Sequence, residues 1–183
     1  MAGYRGGGAL GEAGAAEKVQ PASLMEHYQE AVRGRFRALE EEYIPLQVKE
    51  MEASGEPSPL EVAEVGRLVL LGPPGSGKSG LLHHLACDYA QRGERFLLLD
   101  LALLTPEEGF RGLVTEAFLG CGLEISPSEV PSLLEAGSVL LLDNLNLVTN
   151  NYSLEELERL LRSSERFILA CRSGDYPAYS RWL

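Results

Sequence analysis

The chain has 183 residues, 45% of them hydrophobic, with 16 Lys and Arg set against 27 Asp and Glu for a formal net charge of −11. Disorder throughout is excluded, because that apolar share can build a core of one domain plus an extension. Nucleic-acid binding is disfavoured: neutralising phosphates needs a basic cluster, and the nearest one, Arg33, Arg35 and Arg37, sits among glutamates.

The first 20 residues mix Gly3, Gly6, Gly7, Gly8, Gly11 and Gly14 with alanines, a composition that cannot repay the entropy of ordering, so residues 1–20 are predicted to be a disordered tail. No apolar stretch has the length of a signal-peptide core or a bilayer span, which points to a cytoplasmic protein with no membrane partner. Three cysteines, Cys87, Cys121 and Cys171, lie far apart, without the short spacings of zinc sites or disulfide frameworks.

Residues 21–66 read as a helix and a linker. Ser23 and Glu26 form a capping-box pattern, and Leu24, Tyr28, Val32, Phe36 and Leu39 recur at helical spacing, predicting an amphipathic helix of about 20 residues. Its apolar stripe could meet a partner, but packing on its own domain is the more common use. Tyr43-Ile44-Pro45-Leu46 reads as an extended edge piece. Ser58-Pro59-Leu60-Glu61 then opens a short helix towards Gly66. Thr105 with Glu108, Ser126 with Glu129, and Ser153 with Glu156 repeat the same helix-start pattern.

Residues 67–183 alternate such helices with short apolar runs: Arg67 to Leu71, Arg95 to Leu101, Ser138 to Asp143, and Arg166 to Cys171. These runs are apolar at consecutive positions, as in strands buried on both faces of a parallel sheet. The predicted class is α/β, a three-layer sandwich around a mostly parallel sheet, preceded by the N-terminal helix.

Gly72-Pro73-Pro74-Gly75-Ser76-Gly77-Lys78-Ser79 matches G-x-x-x-x-G-K-[S/T] in full, after a predicted strand and at the start of a predicted helix. In that motif the backbone N–H groups and the helix N-terminus, extending to Gly80, point at nucleotide phosphates. Lys78 reaches the β- and γ-phosphates, and the Ser79 hydroxyl binds Mg²⁺. The companion carboxylate is expected at the end of a buried strand. Asp143, closing Val139-Leu140-Leu141-Leu142, is the first choice. Asp100, closing Phe96-Leu97-Leu98-Leu99, belongs to the strand after the first helix and is expected to cap a strand end instead.

Taken together, these segments resemble the NACHT-type P-loop NTPases of the STAND class, bacterial members most closely. The resemblance covers about Tyr43 to Tyr176 and rests on Tyr43-Ile44-Pro45-Leu46, the Gly72–Ser79 loop, Leu140-Leu141-Leu142-Asp143 and Cys171-Arg172-Ser173-Gly174-Asp175-Tyr176. It implies an ATP- or ADP-binding signalling or defence switch. Lys78, Asp143 and Arg172 would be its active residues, Arg172 serving as a sensor of the γ-phosphate. Tyr43 and Pro45 would lie beside the adenine, Ser79 and Asp143 would hold Mg²⁺, and the partner would be the same chain or another NTPase domain. Two departures stand out. Asn146-Leu147 replaces the family's second acidic pair, which implies slow or absent hydrolysis. The resemblance also stops after the sensor strand, so the family's last core strand is missing and an exposed sheet edge is expected. A P-loop phosphotransferase is the alternative, but it needs an acceptor pocket and an arginine-rich lid, and the segment after Leu101 offers only Arg111. A pseudo-ATPase interaction module is the third reading. His83 and Cys87, one helical turn apart, supply too few ligands for a metal and are expected to be packed. Cys171 is expected to be buried.

Overall fold

In the computed structural model, which describes residues 21–41, 61, 64, 66–135 and 137–182, the four apolar runs form four strands: β1 Arg67–Gly72, β2 Phe96–Asp100, β3 Val139–Asp143 and β4 Phe167–Arg172. Each end lies within a residue of its predicted limit. All three pairings are parallel and the strand order is β1-β4-β3-β2. Unbroken apolar sequence has its reason here. Val139 to Leu142 and Phe167 to Cys171 occupy the two central strands and are buried on both faces.

The helices are α1 Pro21–Glu41, α2 Lys78–Arg92, α3 Gly109–Leu119, α4 Val130–Glu135, α5 Asn151–Ser163 and α6 Tyr176–Tyr179. Three single 3₁₀ turns, Leu101–Leu103, Leu145–Leu147 and Ser180–Trp182, complete the described elements. No helix among the described residues is long and apolar enough to cross a membrane.

Helix α1 packs on its own domain. Leu24, Met25, Tyr28 and Val32 are buried, and the helix lies along α2. Each such side chain contributes about 1.5–3 kcal/mol, which holds a helix that in isolation would be marginal in water. The Tyr28 ring stacks on Phe118 of α3 at 4.4 Å between centroids and tilts against Phe96 of β2 at 6.1 Å. Its hydroxyl reaches the outer edge of β2, where Leu98 would otherwise leave its N–H and C=O without a strand partner. The Gln29 side-chain amide donates to the Glu94 carbonyl just before that strand. One sheet edge is therefore covered by a helix. The other, β1, has no strand on its outer side among the described residues, and Arg67 to Leu71 is only partly buried.

The helix starts are less regular than the sequence suggests. Pro21 already belongs to α1, so Ser23 and Glu26 lie inside it rather than forming a capping box. Helix α5 is capped by Asn150, whose side-chain oxygen accepts the Ser153 N–H at 2.7 Å, and Ser153 is buried one turn in. Glu156, expected to serve its own helix, instead reaches across to accept the Phe110 N–H at 3.1 Å and caps α3. The pattern before α4 does form: Glu129 accepts the Ser126 N–H at 2.7 Å. Thr105 Oγ1 accepts the Glu108 N–H at 3.4 Å, in a turn that precedes α3. Residues 1–20, the Tyr43–Leu46 segment and most of the predicted helix after Ser58 lie outside the described residues; Glu61 and Glu64 are helical.

Candidate functional site

The C-terminal ends of the four strands converge on one rim, where ligand crevices of open parallel α/β sheets form. At this rim β1 passes into α2 through Gly72 to Gly77. Gly75 and Gly77 adopt φ of 75° and 86°, where a side chain would be strained by about 1–2 kcal/mol. Gly72 is constrained by space: a Cβ there would meet Ser76 Oγ at 2.5 Å. Gly77 is the N-cap of α2 and provides no side-chain acceptor, so the first N–H groups of a 15-residue helix end at the loop without a capping side chain. Pro73, Pro74, Gly75, Ser79 and Gly80 are exposed at the mouth, and Ser76, Gly77 and Lys78 are half-buried.

Lys78 folds back over this loop. Its ammonium donates to the carbonyls of Gly72 and Pro73, each at 2.9 Å, and to Ser76 Oγ at 3.2 Å. Three neutral acceptors hold the charge above the cradle, and an anionic ligand would compete for it on favourable terms.

Asp143 ends β3, two strands from β1, or about 10 Å at the usual spacing. The strand between them is β4, whose Arg172 is in register with Gly72 of β1. Ser173 N–H donates to the Gly72 carbonyl at 3.3 Å, tying the end of β4 to the start of the loop. The Arg172 side chain is exposed and makes no hydrogen bond or ion pair with the described residues. The fold thus brings Lys78, Ser79, Asp143 and Arg172 to one rim. Tyr43 and Pro45 lie outside the described residues.

Asp100 is the register partner of Asp143. Its Oδ1 accepts the Ala102 N–H at 3.0 Å and caps the turn after β2, the strand-end role expected for it. Asn144 links the two carboxylates: its backbone N–H donates to Asp143 Oδ1 at 2.8 Å and its side-chain amide to Asp100 Oδ1 at 2.8 Å. To do so it adopts φ 60°, the left-handed conformation, the one such non-glycine residue among those described. This clamp is absent from the sequence reading. A left-handed Asn between two strand-end acids is visible only once register is known.

His83 and Cys87 lie in different surroundings. Cys87 is fully buried in the core, whereas His83 is half-buried and stacks on Phe36 of α1 at 4.0 Å. Burial holds the His83 imidazole below its usual pKa, Asp143 pulls the other way, and Arg35 adds to the lowering. No group of three or more His, Cys, Asp or Glu side chains among the described residues is placed to hold a metal ion. Ser79 and Asp143 would be a sparse protein ligand set, the kind that leaves Mg²⁺ most of its waters and phosphate oxygens. Cys171 is buried at the end of β4, and burial raises its thiol pKa, so it is poorly suited to react.

Asn146 is half-buried in the turn Leu145–Leu147, between fully buried Leu145 and exposed Leu147. The described residues define an α/β protein on a parallel four-stranded sheet with a glycine-rich strand-to-helix loop at its C-terminal rim. No protein-family model matches the chain, and no curated protein matches it.

Proposed function

We propose that this chain is a P-loop ATP-binding module of the NACHT-like STAND type, a cytoplasmic nucleotide-dependent switch for signalling or defence with ATP or ADP and Mg²⁺ as its ligands. The observation that carries the reading is the cradle: a loop with two left-handed glycines, a Gly72 whose Cβ would displace the Ser76 hydroxyl, and the Lys78 ammonium on three of its own oxygens. These features fit a polyphosphate. The residues from Gly72 to Gly80 would surround it, the backbone amides donating to phosphate oxygens and Lys78 exchanging its carbonyl partners for them. Ser79 and Asp143 would hold Mg²⁺, which neutralises phosphate charge when bound. Arg172, exposed at the end of the strand between β1 and β3, is suited to meet the terminal phosphate.

Turnover is slow or absent in this reading. Asn146 can orient a water but cannot accept its proton near neutral pH, and a positioned base is worth about 10²–10⁴-fold. The outer edge of β1 is the surface assigned to self-association or to another NTPase domain.

Calorimetric titration tests the reading. Wild-type protein is expected to bind MgATP or MgADP, and Lys78→Ala to weaken that binding at least about tenfold, the loss of one charge-assisted contact set. Asp143→Ala is expected to remove the Mg²⁺ dependence. No nucleotide binding by the wild type would sink the proposal. Phosphate transfer to a small acceptor would move the assignment to the phosphotransferases.

A further inference from the structure

Beside Asp143, on the side facing α1 and α3, lies a cavity of about 520 Å³. That volume falls within the range of small-molecule sites. Its walls divide into two kinds. Val32 and Phe36 of α1, Leu113 of α3 and the His83 ring of α2 supply apolar and flat surface, with Phe36 and His83 stacked face to face. Asp100 and Asp143 from the strand ends and Glu116 from α3 supply three carboxylates against one guanidinium, Arg35. Arg35 lies over the Phe36 ring at 5.5 Å.

The carboxylates are held in place for a ligand. Asn144 and the Ala102 N–H occupy Oδ1 of Asp100, and Asn144 occupies Oδ1 of Asp143, while Oδ2 of each has no protein partner among the described residues. His83 adds little positive charge near neutral pH, since burial holds its pKa down.

We infer that this cavity is a second ligand site, taking a small molecule with one protonated amine and a flat apolar body. The amine would donate to Asp100 and Asp143, and the body would lie against Phe36, Val32 and Leu113. An ammonium between two carboxylates makes charge-assisted bonds, and a flat ring gains from the aromatic wall. Anions are disfavoured by the excess of carboxylates. The site needs no nucleotide, although it shares Asp143 with the phosphate rim.

The test titrates nucleotide-free, full-length protein with tryptamine and, separately, with indole-3-propionate, which carries the same ring on an anionic tail. Tryptamine is expected to saturate with a Kd of about 1 mM or tighter, in line with the ligand efficiency of small molecules, and indole-3-propionate to bind at least about tenfold more weakly. Asp100→Asn should weaken tryptamine about tenfold, and Ala117→Phe, which fills the cavity from its α3 wall, should abolish saturation. If Ala117→Phe fails to fold, the Asp100→Asn comparison carries the test alone. Failure of tryptamine to saturate, equal binding of the two indoles, or an unchanged Asp100→Asn affinity would overturn the inference. MgATP titrated into the same samples keeps the two readings apart: nucleotide binding without tryptamine binding removes only the second site, and the converse removes only the nucleotide switch.

Discussion

The Tyr28 hydroxyl of α1 donates to the Leu98 carbonyl at 3.1 Å and accepts the Leu98 N–H at 3.2 Å, so one side chain satisfies both backbone groups that Leu98 presents at the outer edge of β2. A helix that precedes the sheet in sequence thereby protects the edge at which that sheet would otherwise extend. Tyr28→Phe keeps the ring on Phe118 and Phe96 but leaves the Leu98 groups unpaired in a part-buried place. The expected cost is about 1–3 kcal/mol, a fall in Tm of roughly 2–4 °C per kcal/mol for a chain of this size. Urea denaturation with an unchanged m-value checks it, and a loss under 0.5 kcal/mol (about the size of a neutral surface substitution) would show that water replaces the phenol.

Asn144 performs two tasks that can be separated. Asn144→Gly relieves the left-handed backbone and keeps the N–H to Asp143, but loses the amide to Asp100. Asn144→Ala loses that amide and also keeps the strain of about 1–2 kcal/mol. The alanine variant should therefore be less stable than the glycine variant by about 1 kcal/mol. Equal stabilities in chemical denaturation would mean that the backbone stores no strain there.

Gly72 and Ser76 should be energetically coupled. A Cβ on Gly72 would sit 2.5 Å from Ser76 Oγ, which also accepts from Lys78. Gly72→Ala should force that hydroxyl away and disturb the Lys78 ammonium, whereas Gly72→Ala in a Ser76→Gly background should be better tolerated. A double-mutant cycle on thermal stability should return about 1 kcal/mol of coupling, within the range for touching residues. Additive effects would show that the loop simply opens.

His83 should make stability fall on mild acidification. Its folded pKa lies below the usual 6.5, chiefly through burial, so the unfolded chain takes up the proton first. The contribution is therefore fully present above about pH 6.5 and is lost as pH falls from there towards the folded pKa. His83→Phe, which preserves the stack on Phe36, should flatten the stability profile between about pH 7.5 and 5.5. Asp143→Asn should steepen it, because Asp143 raises the His83 pKa and its removal widens the gap between folded and unfolded values. Denaturation midpoints measured across that interval decide the matter, and a His83→Phe profile parallel to the wild type would refute the linkage.

The sequence by itself determined the strands, because short runs such as Val139 to Leu142 and Phe167 to Cys171, apolar at every position, alternate with helix patterns, as in a parallel sheet covered on both faces. It also determined the loop between β1 and α2, since glycines at positions 75 and 77 are what its backbone conformation requires. Helix ends were less legible. Glu156 fits a capping pattern for its own helix yet caps α3, because a carboxylate's choice among nearby N–H groups is settled by packing. Long-range juxtapositions were decided by the tertiary structure alone. The order β1-β4-β3-β2 sets Arg172 beside Gly72 and Asp100 beside Asp143, and α1 brings Tyr28 to Leu98 and Phe36 to His83. Local pattern fixes which face of a strand or helix is apolar; which other element meets that face depends on how the whole chain closes its core.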